Sequence, residues 1–225
     1  YPALGDYWFQ DIQVITSRKG NQFFAAHGGH NAESHNHNDI GDFVYYDKGE
    51  PVIIDAGRGN YTARTFSAQR YSLWFTQSEY HNLPLINGKG QQAGRSFEAT
   101  AVQSNISDKA SGITLDLAKA YPAEAGIKTW KRSLQFNKVK NQIELKDQYE
   151  LGALTQPIQQ AFMTLCAIDT NTPGKLGLKT STGDAHEIQY DAKKWTVAID
   201  LPSTEGPEYR SFKTKWANRP VQRII

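Results

Sequence analysis

His35, His37, Asp39, Asp55 and His81 place three of the chain's six histidines, with two carboxylates, in an otherwise strand-like stretch. Neutral imidazole and carboxylate bind zinc or another transition ion, and a chain with one cysteine has no thiolate set to offer, so a nitrogen-and-oxygen centre is expected. If residues 35–39 are extended, alternation turns side chains 35, 37 and 39 to one face. A hairpin between His37 and Asp55 brings the start of one strand beside the end of its neighbour. His81 arrives with the next apolar segment. One ion does not need all five residues, so at least one histidine is left to do chemistry beside it. The competing reading is that Asp55 caps the Asp55-Ala56-Gly57 turn and His81 is a hydrogen-bonded core residue.

The elements that must position these groups read as strands. Alternating apolar and polar residues recur with turn residues between them, and helix-length stretches of 3.6 period are scarce. Ile12 to Thr16 and Gln22 to Ala26 flank Lys19-Gly20-Asn21, and Phe43 to Tyr46 and Val52 to Asp55 flank Asp47 to Pro51, giving two hairpins. Leu83 to Ile86 meets Asn87-Gly88, which predicts a third. Ala63 to Tyr80 reads as a long loop with a helical turn that delivers His81. Candidate strands follow near 97–104, 112–118, 129–136, 142–148, 160–167, 175–180, 186–190 and 194–200. The expected fold is all-β, a large two-sheet antiparallel β-sandwich with little helix, spanning residues 1–225 as one domain.

Composition narrows the function classes. Lys+Arg 25 against Asp+Glu 23, with no basic stripe, argues against nucleic acid as a partner. No apolar run approaches the roughly 20 residues of a membrane-spanning helix. Cys166, in an apolar run, reads as a buried small hydrophobe. The start at Tyr1-Pro2-Ala3-Leu4, without an initiator methionine or signal peptide, reads as a mature product or an excised piece.

The run Ser34-His35-Asn36-His37-Asn38-Asp39-Ile40-Gly41-Asp42-Phe43, then Pro51-Val52-Ile53-Ile54-Asp55-Ala56-Gly57, then Tyr80-His81-Asn82 with Asn87-Gly88 and Gln91, resembles the heparinase II/III-like domain of bacterial polysaccharide lyases. The likeness extends more weakly to Arg223-Ile224. It implies an antiparallel sandwich that follows an N-terminal α/α toroid, in a periplasmic or secreted enzyme that cleaves uronic-acid polysaccharides by β-elimination. Carried over position by position, it implies zinc ligands His37, Asp55 and His81, a catalytic His35, and Asn82 as a supporting residue. Relatives draw a catalytic tyrosine from the toroid, and nothing here is helical enough to be one. The chain therefore reads as one wall of a cleft whose other wall, the toroid, is absent from it. Glu79-Tyr80 also departs from the small residues that many relatives carry before the histidine.

That chemistry explains the residue types. A proton must leave C5 of a uronic acid beside a carboxylate, so the carboxylate must be neutralised, a base must sit within hydrogen-bond reach, and the leaving oxygen needs an acid. His35 suits either duty, with Asp39 to fix its tautomer. Tyr61 is a candidate local acid or substrate contact. Arg64 and Arg70 are candidate partners for the acidic polysaccharide, since guanidinium grips carboxylate or sulfate bidentately. Trp74 and Phe75 could stack on sugar rings but read rather as the anchor of the loop, and His27 and His30 flank the Gly28-Gly29 turn, which either lines the cleft or is a tight turn with solvated histidines. A metal at His37, Asp55 and His81 reads as structural, pinning two hairpins so that His35 faces the cleft. Two other readings stand beside the lyase. One is a non-catalytic carbohydrate-binding or structural module. The other is an iron oxygenase using His35 or His37 with Asp39 and His81.

Overall fold

The N-terminal third is built on two tight hairpins. Strands β1 (Tyr7–Phe9) and β2 (Val14–Lys19) lead to β3 (Gln22–His27), and Lys19 pairs with Gln22 across Gly20-Asn21. After the short β4 (His30–Asn31), β5 (Phe43–Asp47) and β6 (Glu50–Ile53) pair across Lys48-Gly49, both at positive φ as a type I′ turn requires. Strands β1-β2-β3-β5-β6 form one five-stranded antiparallel sheet. The computed structural model describes residues 4–225, so Tyr1, Pro2 and Ala3 of the expected 1–225 domain lie outside the described residues.

The third hairpin is reduced to a single bridge between Ile86 and Lys89, although Asn87 and Gly88 both take positive φ. The side chain of Asn87 donates to the carbonyls of Ala125 and Ala153 and accepts from the amide of Thr155, which commits the turn to other segments. Strand β7 (Pro84–Leu85) accordingly pairs with residues 159–160 instead of folding back on itself.

Beyond β8 (Gly94–Glu98), the strands β9 (Thr100–Ile106), β10 (Ala110–Asp116), β11 (Ile127–Asn137) and β12 (Gln142–Leu151) form a four-stranded antiparallel meander. It packs face to face on the five-stranded sheet. Phe136 lies 6.1 Å from Phe24 and 6.2 Å from Tyr45, ring centre to ring centre, amid the buried Ile15, Ile113, Leu115 and Leu134. Each such side chain, fully buried, contributes about 1.5–3 kcal/mol, so this interface is what holds the sandwich together. Smaller sheets complete it. Strands β13 (Gln159–Gln160), β14 (Phe162–Thr164), β15 (Ala167–Thr172), β16 (Lys175–Lys179), β17 (Ala185–Gln189), β18 (Ile199–Asp200) and β19 (Gln222–Ile224) supply a β15-β16-β17 meander and a β14-β19-β18 sheet. The expected strand over 194–200 shrinks to β18, and a six-residue helix, α1 (Arg210–Lys215), lies where no helix was expected. Cys166 is buried and free.

Residues 63–80 run through four successive 3-10 turns. The buried Trp74 stacks on Phe212 at 5.2 Å and on Tyr209 at 5.9 Å, and joins Ile54, Leu73, Phe75 and Met163 in a second apolar cluster. The loop is thus anchored as its aromatics suggest, against α1 and β14. Arg132 of β11 is fully buried and pairs bidentately with Asp147, while its remaining nitrogen donates to the carbonyls of Gly41 and Asn82. That ties the meander to the two segments carrying the site.

Candidate metal and catalytic site

Residues 32–42 are a turn-rich loop and not the extended strand that alternation requires, and His35 takes φ 62°. The polar His-Asn-His-Asn-Asp run has no partner strand and is held by side chains instead. Gln91 accepts from the Ile40 amide and donates to the Ile40 carbonyl, the Asn38 amide donates to Thr76 at 3.0 Å, and Arg70 donates to the carbonyls of Asn36 and Thr65. Loop folding, rather than pleating, brings His37 and Asp39 together while turning His35 elsewhere.

Four residues converge. Donor atoms of His37, Asp39, Asp55 and His81 all lie within 4.8 Å of one another. Asp39, expected to support His35, joins this group, and its carboxylate lies 3.7 Å from Nε2 of His27. His81 is fully buried, and among the described residues neither ring nitrogen has a hydrogen-bond partner; Nδ1 sits 3.5 Å from Asp42 and 3.6 Å from Asp55. A buried polar atom without a partner costs about 1–3 kcal/mol. Unpartnered imidazole nitrogens facing carboxylates and a second imidazole, with the His37 and His81 rings 5.4 Å apart, fit a divalent cation bound by nitrogen and oxygen. The reading of His81 as a hydrogen-bonded core histidine fails on its orphaned nitrogens. Asp55 does form the Asx turn, accepting the Gly57 amide at 2.6 Å, and still presents to the cluster.

The electrostatics of the metal-free group reflect its crowding. Burial alone would push His81 down, but Asp42, Asp55 and Asp39 outweigh it and raise its pKa to about 9. Burial and then the charge of His81 push His37 down to about 4. Burial would raise Asp55, yet His81, His37 and the Gly57 amide hold it below the usual carboxylate range.

Asn82 is fully buried and works as a knot. Its Nδ2 donates to Asp42, to the Phe43 carbonyl and to the Ile54 carbonyl, and its Oδ1 accepts from the Met163 amide. Asp42 in turn faces His81, so Asn82 orients His81 through its neighbour.

Above the cluster opens a cleft of about 550 Å³, whose lining includes His27, His30, Glu33, His35, Asp39, Asp55 and Arg58. His35 stacks on Tyr61 at 5.4 Å and meets Phe66 edge-on at 6.0 Å. The two residues proposed from sequence for chemistry therefore adjoin. Arg64 is occupied by Ser72 and Arg70 by backbone carbonyls, and neither lines the cleft. Tyr80 turns away, packing on Trp74 and under Arg223. His27 and His30 line the cleft, as the first reading of their turn has it, and Arg58, which no motif singles out, supplies its cation. Their proximity in sequence to the motifs was the available signal: His27-Gly28-Gly29-His30 precedes the loop, and Arg58 directly follows Asp55-Ala56-Gly57.

The model of the family described as heparinase II/III-like, C-terminal, matches residues 9–217. Among solved structures, heparan sulfate lyase HepC from Pedobacter heparinus superposes with a TM-score of 0.72 at 16% identity, covering 99% of this chain and 34% of that one. A structure described as heparinase III gives 0.70 at 14% identity, with 99% and 34% covered. The chain thus spans about a third of the length of these structures, and at such identity they show the sandwich fold. No curated protein matches the chain in sequence.

Proposed function

Given that the chain belongs to the heparinase II/III-like C-terminal family, we propose that it forms one wall of the active site of a lyase that cleaves uronate-containing polysaccharides by β-elimination, the other wall being an N-terminal α/α toroid. The observation that carries this reading is the His35–Tyr61 stack standing at the cleft beside the His37-Asp39-Asp55-His81 group. In the reaction a base takes the C5 proton, the electron pair forms the C4–C5 double bond, the C4–oxygen bond breaks and the leaving oxygen is protonated. His35 is exposed enough to meet a sugar and is the base or the acid; Tyr61, in contact with its ring, is the second proton carrier on this wall.

His37, Asp39, Asp55 and His81 would hold zinc or another divalent ion, which would supply positive charge among the carboxylates and cross-link the loop, the segment after β6 and the end of the 3-10 run. This is a pinning role, keeping His35 aimed at the cleft. An enzyme of this kind acts on an extracellular polymer, which supports a periplasmic or secreted location.

The test uses the full-length enzyme on heparan-type and alginate-type polymers. The expected product carries an unsaturated uronate that absorbs in the ultraviolet. His35→Ala and Tyr61→Phe are each expected to lower kcat about 10²-fold or more, with thermal unfolding unchanged. Products without a new double bond would refute elimination, and full activity in His35→Ala would favour a binding module.

A further inference from the structure

Arg58 is the cation in this cleft with its charge unspent. His30 is paired with Glu33 at 2.8 Å and His27 faces Asp39, whereas the Arg58 guanidinium makes no ion pair among the described residues and lies over the Tyr61 ring, 4.7 Å from its centre. A guanidinium stacked on an aromatic face keeps its donor edge free for a planar anion. Tyr61 also adjoins Phe66, which is 65% exposed at the rim of the cleft, its ring 5.2 Å from Tyr61 and 6.0 Å from His35.

The backbone carrying Arg58 is braced by hydrogen bonds. Lys215 donates to the carbonyls of Ala56 and Arg58 on either side of Gly57, and the Asn60 amide donates to the Glu208 carbonyl at 2.7 Å. Gly59 lets this happen: a Cβ there would lie 2.2 Å from the Glu208 carbonyl and 2.8 Å from Phe75. The guanidinium is therefore presented on a braced loop, so little ordering is needed when an anion arrives.

We propose that Arg58 and Phe66 form a subsite for an acidic sugar, Arg58 gripping its carboxylate or sulfate and Phe66 packing against its ring. A sugar held by both rests against Tyr61 and His35. The inference rests on the lyase reading of the cleft and adds to it the residues that select an anionic substrate from this wall.

The test is calorimetric binding to the full-length enzyme carrying His35→Ala to prevent turnover. The probes are a heparan-type hexasaccharide, its carboxyl-reduced form and its desulfated form. Adding Arg58→Ala is expected to weaken the hexasaccharide roughly 10- to 100-fold, with partial rescue by Arg58→Lys. A loss that survives desulfation and disappears on carboxyl reduction assigns the carboxylate; the reverse assigns the sulfate. Phe66→Ala is expected to weaken all three probes alike. Arg58→Ala that leaves hexasaccharide affinity unchanged, or lowers all three equally, overturns the subsite while the unsaturated product of the parent enzyme keeps the lyase reading intact. A parent enzyme that yields no such product overturns both.

Discussion

Asn82→Ala should be among the most damaging single substitutions in the chain, and its size follows from the hydrogen bonds it removes. The Asn82 side chain serves Asp42 at 2.8 Å, the carbonyls of Phe43 and Ile54 at 2.8 and 3.0 Å, and the Met163 amide at 2.8 Å, all without access to water. Alanine leaves a buried N–H and several buried acceptors unpaired, at about 1–3 kcal/mol for each group that finds no substitute. Allowing for sharing and local relaxation, the loss is about 3–5 kcal/mol, the range reserved for broken buried networks. For a domain of this size that lowers Tm by roughly 6–20 °C. Urea unfolding followed by tryptophan fluorescence measures it, in chelator so that metal binding does not contribute. Asn82→Asp should be no milder, because it keeps the acceptor for Met163 but sets a second carboxylate against Asp42. A loss below about 1 kcal/mol for the alanine variant would refute the account of Asn82 as the knot joining β5, the segment after β6 and β14.

His81 is raised to about 9 in the metal-free chain, so its proton adds stability below 6.5 that is lost as pH rises through about 9. Because a ligating imidazole must be neutral, metal binding at pH 7 should release about one proton, measurable by calorimetry in buffers of different ionisation enthalpy; no proton release would contradict this environment. Chelation should lower Tm if the ion pins the loop, and an unchanged Tm would leave no pinning role. Burial would raise Asp6, but Lys138, Ser111, the Arg18 amide and Ser17 outweigh it and hold its pKa below 3.8. Its contribution is therefore present above 3.8 and lost as pH falls through the lower folded value, and Asp6→Asn should flatten that part of an acid-unfolding curve. Arg70→Ala should loosen residues 36–39 and weaken metal binding several-fold, whereas Arg64→Ala, losing exposed contacts to Ser72, should leave it unchanged. Isothermal titration of zinc separates the two.

Hairpins and candidate ligands are legible in the sequence for different reasons. Gly20-Asn21 and Lys48-Gly49 close hairpins because local backbone preference and strand alternation agree there. Asn87-Gly88 has the same local preference, but the Asn87 side chain is claimed by Ala125, Ala153 and Thr155, partners that no local pattern announces. His37, Asp55 and His81 were visible as ligand types in an ordered set of motifs. The geometry uniting them was not, since residues 32–42 are shaped by Gln91, Thr76 and Arg70, all distant in sequence. Arg70 is drawn off the cleft by the distant Asn36 carbonyl and Arg64 by Ser72 eight residues on, while Arg58 is left in it. An arginine's task depends on which carbonyls lie nearby, and composition carries no trace of that.

The bracing of the Asp55 segment also has a consequence for the order in which the chain is made. His37, Asp55 and His81 leave the ribosome well before Lys215, which holds the carbonyls of Ala56 and Arg58, and before β19, which pairs with β14. Strand β14 in turn receives the Ile54 amide at its Met163 carbonyl, next to Asp55. A nascent chain that has already exposed every ligand still lacks the frame that sets one of them. A metal bound in this geometry would therefore have to wait until residues 206–225 are in place, and truncation after residue 205 would yield a chain with every candidate ligand and an unsupported site.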